Sequence, residues 1–174
     1  MKKFKIIFTG NSCYSNCSEA FTLYEKSWFG EKKEGKIIYS IFETLYLLEK
    51  EKIELIFENK KINFENFFSI ISKKDKKIPI KYIVFKDLRS KGYVVKTALK
   101  FGAEFRVYEK GTKPHKNKEH AKWILYPLKE SDKITMQELS AKSRIAHSTK
   151  KNLLIAVVDE EEDVTYYEVS WIKI

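Results

Sequence analysis

The chain has 174 residues, enough for one domain or two small ones, and its 34 basic side chains outnumber 24 acidic ones for a net charge of +10. A field of that sign favours phosphate-rich partners or acidic membrane surfaces. No run approaches the roughly 18 apolar residues of a membrane span, so a soluble, cytoplasmic protein is expected.

The opening MKKFKIIFTG has the charged head of a signal peptide. Its apolar run is short and no small-residue cleavage site follows, so it reads as a first strand over Phe4–Phe8. A polar loop through Cys13–Cys17 comes next. Two thiols four apart lack the further His or Cys that a metal site needs, and both are expected to be free. A helix is predicted over Tyr39–Lys50, with Ile38, Ile41, Phe42, Leu45 and Leu48 on one stripe. IELIFENKKI reads as a strand and turn, and FENFFSIISKK as an amphipathic helix with Asn63 as its N-cap. Residues 1–78 therefore form a small α+β module without obvious chemistry.

After the charged junction KKDKKIPI, a helix in IKYIVFKDLRSKG ends at Gly92 in the C′ position. YVVKTAL and EFRVYEKG are strands around the turn KFGA, and KWILYPL is another. TMQELSAKSRIAH starts with a capping box, Thr135 with Glu138. NLLIAVVD is a buried strand, DEEED a hairpin loop, and VTYYEVSWIKI a last strand, apolar on both faces, running to the final residue. Residues 79–174 are expected to form a mixed central sheet flanked by helices, in an α+β or α/β fold.

Chemistry concentrates in this second part. Between two strands, YEKGTKPHKNKEHAKW (Tyr108–Trp123) carries two of the three histidines, five lysines and only two acids. Two-metal nucleases need carboxylates on neighbouring strands. LLIAVV has none before Asp159, and YVVKTAL, read as its neighbour, has none either. The E-x-K at Glu31–Lys33 falls in a Gly-flanked polar loop. Nucleophile-elbow, Walker and H-E-x-x-H motifs are missing. Neither a metal nor a cofactor is expected. RNA cleavage without metal needs a base for the ribose 2′-hydroxyl, an acid for the 5′-oxygen and a cation at phosphorus. Tyr108, His120 or His115, and Lys150 or Lys151 qualify by type. His147, in a last helical turn, reads as a complement to the helix dipole.

FRVYEKG, KEHAKW and RIAHSTKKNLLIAVVDEEEDVTYYEVSW, in that order, closely resemble the archaeal tRNA-splicing endonuclease family. IKYIVFKDLRSKGYVVKTALKFGAEFRVYEKG matches the segment before that family's active site, and GEKKEGKIIYSIFETLYLLEKEKIEL fits its N-terminal module. The resemblance implies a nuclease-like C-terminal domain in which Tyr108 is the general base, His120 the general acid and Lys151 the transition-state cation. It implies metal-independent transesterification of pre-tRNA at bulge–helix–bulge junctions, leaving a 2′,3′-cyclic phosphate and a 5′-hydroxyl. His115 falls outside the motif. Arginine is scarce, at Arg89, Arg106 and Arg144 alone, and Arg144 matches a position that clamps a bulged base by cation–π stacking. The acidic loop Asp159, Glu160, Glu161, Glu162, Asp163 would dock into a basic cleft of a partner subunit, and the C-terminal strand would pair across a two-fold interface. The implied assembly is a homo-oligomer, dimer or tetramer, or a heterotetramer with a structural subunit. The alternative is that the chain is itself the non-catalytic, structural or RNA-binding subunit.

Overall fold

A computed structural model describes residues 3–98, 102–112 and 119–172. The chain divides into two compact units, Met1–Ile78 and Pro79–Ile174.

In the first unit, β1 (Phe4–Phe8) alternates buried and exposed positions, which sends Phe4, Ile6 and Phe8 into the core. It lies at the centre of a six-stranded sheet ordered β3-β4-β2-β1-β5-β6. Here β2 is Cys13–Ser15, β3 Glu31–Lys33, β4 Lys36–Tyr39, β5 Ile53–Phe57 and β6 Lys60–Ile62. β1 runs parallel to β5, and the other pairs are antiparallel. The β3–β4 and β5–β6 hairpins turn on two residues each, Glu34–Gly35 and Glu58–Asn59. All four have positive φ, as the twist of a tight hairpin requires. Glu31–Lys33 is thus an exposed edge strand and not a loop.

Three helices cover this sheet's chain connections: α1 (Ser18–Ser27), α2 (Ile41–Glu49) and α3 (Phe64–Lys74). The last starts at its expected cap, with Asn63 accepting from the Asn66 N–H at 2.9 Å. Helix α2 is shorter than its hydrophobic stripe suggests, because Ile38 and Tyr39 belong to β4 and a Ser40–Glu43 capping box sets the start. Glu43 is only 3 % exposed, yet its carboxylate is fully engaged. One oxygen accepts from the Gly30 N–H at 2.8 Å, the other from the Ser40 N–H and hydroxyl at 2.9 Å each. Gly30 has to be glycine: a Cβ there would lie 2.3 Å from Ile37 Cγ2 and 2.9 Å from the Ile38 carbonyl oxygen. Helix α1 carries neither signal, since Cys17 caps it without a side-chain bond and only Ala20 and Leu23 are buried.

The second unit opens with α4 (Ile78–Ser90), which takes Pro79 into its first turn, where a missing N–H costs nothing. Gly92 follows at φ 89°. Five strands then build a sheet ordered β11-β10-β9-β8-β7: β7 Val94–Thr97, β8 Phe105–Tyr108, β9 Trp123–Lys129, β10 Asn152–Val158 and β11 Val164–Val169. Only β9 and β10 are parallel, joined through α5 (Met136–Ser148), whose capping box is Thr135 with Glu138. Ala146 of α5 packs on Ile124, Tyr126, Leu153 and Ile155. The other sheet face meets α4, where the Phe85 and Phe105 rings lie 5.8 Å apart.

The sequence-based order of strands needs correction. The neighbours of β10 are β9 and β11, while β7 lies at the far edge. The last strand ends at Val169 and does not run to the final residue. The KFGA turn falls partly, and His115 wholly, outside the described residues.

Two outcomes follow from the first unit. Glu43→Ala strands the buried Gly30 N–H and removes one half of the capping box, which should cost on the order of 2–3 kcal/mol in denaturant melts. Burial pushes the Cys13 thiol up to about 11 against a smaller opposing effect of its Thr44 hydrogen bond, and Cys13 and Cys17 are both free. The thiolate is the reactive form, so at pH 8 a thiol reagent should titrate Cys17 in the native protein and Cys13 only after unfolding.

Candidate active site

Pairing in the second sheet decides which side chains meet. Arg106 of β8 lies opposite both Lys96 of β7 and Ile124 of β9, and Leu153 of β10 lies beside Ile124. Two residues beyond this cross-strand row, toward the end where β8 finishes and β9 and β10 begin, come Tyr108 with Val94 opposite it, and positions 122 and 151 on their own strands. The Lys122 N–H donates to the Val107 carbonyl at 3.0 Å, one residue off the register of the β8–β9 pair, and the Asn152 N–H donates to the Lys122 carbonyl at 2.9 Å. Tyr108 and Lys151 therefore stand at the same end of the sheet, on strands two spacings or about 10 Å apart. Alternation puts both on the face that carries Arg106 and Leu153.

Tyr108 is 6 % exposed. His120 is exposed two residues before Lys122, on a segment anchored by buried Ala121. Lys122 forms an ion pair with Glu109, which ties the two sides of the Tyr108–His120 loop together.

Lys150 and Lys151, equivalent by type, have different structural roles. Helix α5 closes in a Schellman turn: the Lys150 N–H donates to the His147 carbonyl and the Lys151 N–H to the Ala146 carbonyl, both at 2.9 Å. Lys150 takes the left-handed position at φ 55° and is exposed. Lys151 enters the row beside β9, where its Nζ donates to the Thr149 carbonyl at 2.8 Å. Burial, and secondarily the Arg106 guanidinium, hold its ammonium below the ordinary lysine range.

Arg144 sits on exposed α5, its Nε 3.4 Å from the Ser140 carbonyl. With Met136, Leu139, Ser143, Val169 and Trp171 it lines a groove of about 430 Å³. Trp171 is 48 % exposed and its indole lies 4.6 Å from the His147 ring. His147 thus has an aromatic partner besides its place in the last helical turn. Sequence reasoning passed over Trp171 and Arg106. The scarcity of arginine was the available signal for the second; the first needs the fold. Asp159 organises the acidic loop by accepting from the Glu161 and Asp163 N–H groups at 2.9 Å each. The other four carboxylates are exposed.

No group of three or more His, Cys, Asp or Glu among the described residues is arranged to hold a metal ion. What gathers at this sheet end is a phenol, an imidazole and an ammonium, groups able to give or take a proton or to face an anion.

Comparison with known proteins places the chain more narrowly. Residues 6–68 match the N-terminal domain of tRNA intron endonuclease, and residues 78–166 match its catalytic C-terminal domain. The chain belongs to the tRNA intron endonuclease family. It is 41 % identical over 175 residues to the tRNA-splicing endonuclease of Pyrococcus abyssi, covering 99 % of each chain. It is 40 % identical over 166 residues to that of Thermococcus onnurineus, covering 95 % of this chain and 94 % of the relative. To that of Nanoarchaeum equitans it is 42 % identical over 137 residues, 76 % of this chain and 88 % of the relative. No helix among the described residues is long and apolar enough to cross a membrane.

The Schellman turn generates its own test. Replacing Lys150 by Gly relieves the left-handed strain of a side-chain-bearing residue and should stabilise the fold by on the order of 1 kcal/mol. Thermal melts read the gain, and cleavage activity should be retained.

Proposed function

We propose that the chain is a catalytic subunit of a tRNA-splicing endonuclease that cuts pre-tRNA at bulge–helix–bulge intron junctions without a metal ion. Tyr108, as phenolate, takes the proton of the ribose 2′-hydroxyl. The 2′-oxygen attacks phosphorus, and the phosphorus–5′-oxygen bond breaks. His120, as imidazolium, gives its proton to the departing oxygen. The products are a 2′,3′-cyclic phosphate and a 5′-hydroxyl, so no water enters the step. Lys151 lies against a non-bridging oxygen and offsets the charge that builds on it. Cations beside a phenol favour its ionised form, and lysines are dense in this loop. The observation that carries this reading is the shared sheet end and face of Tyr108 and Lys151, with His120 on the segment that leads into the strand between them.

The groove between Arg144 and Trp171 receives an unstacked base, held between guanidinium and indole planes. The exposed acids of the loop at 159–163 dock on a basic surface of a partner subunit. β11, as an edge strand with exposed Tyr167, pairs with another chain. A homotetramer or a heterotetramer satisfies both contacts, in the cytoplasm where pre-tRNA is processed.

Intron-containing pre-tRNA should be cut in EDTA with cyclic-phosphate ends, and a strict magnesium requirement would overturn the mechanism. His120→Ala should lower the single-turnover rate by roughly 10²–10⁴-fold with binding nearly intact, whereas His115→Ala should change it little. Exchange of those two outcomes would move the acid to His115. If cleavage needs a second protein, Lys151→Ala should abolish the activity of the mixture. Unchanged activity would make this chain the non-catalytic subunit.

A further inference from the structure

Only three of the 34 basic residues are arginine, and the reading above leaves Arg106 without a task. Arg89 has a local one, donating from Nη1 to the Tyr93 carbonyl at 3.1 Å beyond the end of α4. Arg106 lies two residues before Tyr108 on the same strand and therefore on the same face of the sheet. Its cross-strand row, with Lys96, Ile124 and Leu153, lies two residues from Tyr108 along β8 and two from Lys151 along β10. Its Nε is fully buried. We propose that Arg106 is a positioning residue for the cleavage reaction, a permanent cation beneath the base that favours its working phenolate form near neutral pH.

The charged groups around it support that role. Lys96, 4 % exposed, faces it from β7. Tyr108 follows it on its own strand and Glu104 lies just before that strand, already in a 3.0 Å ion pair with Lys81 of α4. From the β9 side come His120 and Lys122, the latter paired with Glu109. From the end of α5 comes Lys151, close enough to feel the guanidinium, while His147 packs on Trp171 and Lys150 is exposed. Cations predominate, and Lys151 is held down by burial and by Arg106. A lysine at position 106 would shed its proton among such neighbours as pH rises; a guanidinium does not. Like charges held together in this way also favour the arrival of a phosphate, which neutralises them.

The inference rests on the proposed roles of Tyr108 and Lys151, and one set of assays separates the two. Arg106→Gln, with Arg106→Met as a second variant that keeps the apolar stem, is compared with wild type in single-turnover cleavage of pre-tRNA from pH 5 to 10. Loss of the fixed charge lets the Tyr108 phenol and the Lys151 ammonium keep their protons to higher pH. The alkaline part of the profile should move up by roughly one pH unit. The rate at pH 7 should fall about tenfold, with KM unchanged and the melting temperature only slightly altered. Arg106→Lys should recover most of the loss at pH 7. A wild-type profile in both charge-removing variants, or a raised KM with no change of profile, overturns the proposal. Activity that survives Tyr108→Phe and Lys151→Ala overturns the underlying reading instead.

Discussion

The register of three strands in the second sheet is the constraint on which the site depends. β8 and β9 are antiparallel and β9 and β10 parallel, so the end of one strand and the starts of two others coincide at one edge. Burial fixes that register. Ile124 and Leu153 are wholly buried side by side under α5, and Phe105, Val107 and Leu125 occupy the opposite face, equally inaccessible. A slip of one residue would send each of these to the wrong side. The same slip would put Tyr108 and Lys151 on opposite faces. Packing energy that has nothing to do with the proposed catalysis therefore holds Tyr108 and Lys151 on one face at one end of the sheet.

The helix between β9 and β10 contributes the second element of control. Its capping box starts it at Thr135, and its Schellman turn ends it at Lys150, so the chain re-enters the sheet with Lys151 beside β9. The left-handed residue that makes the turn is a lysine and not a glycine, a local strain that the surrounding packing sustains. Charge then works on what geometry supplies. Arg106 and Lys151 stand close enough to repel, an arrangement that is costly without a ligand and favourable with a phosphate between them.

Much of the fold was legible where the signals are local. Alternation marked β1, Asn63 marked the start of α3, and Thr135 with Glu138 marked the start of α5. Helix α1 was not legible, because Cys17 offers no capping bond and only two of its side chains are buried. The start of α2 was misjudged because the hydrophobic stripe continues backward into β4. Strand order failed for a different reason: pairing is non-local, and apolar runs such as LLIAVV and YVVKTAL do not encode their neighbours. Tyr108, His120 and either lysine stood out by residue type. The roles of Lys150 and Lys151 separated by resemblance, and the turn geometry supplies a physical distinction between them. Arg106 and Trp171 needed the fold, since their interest lies in which side chains face them.

Cleavage of RNA at the shared end of β8, β9 and β10 is tested most directly by a structure of the protein bound to pre-tRNA carrying a 2′-deoxy substitution at the scissile nucleotide. That substrate binds but has no 2′-hydroxyl to attack. The scissile phosphate should lie within hydrogen-bond reach of His120 and Lys151 Nζ, with Tyr108 Oη facing the sugar C2′. A scissile phosphate seated away from these three side chains, at the opposite end of the sheet or against other cations, would contradict the assignment of the site.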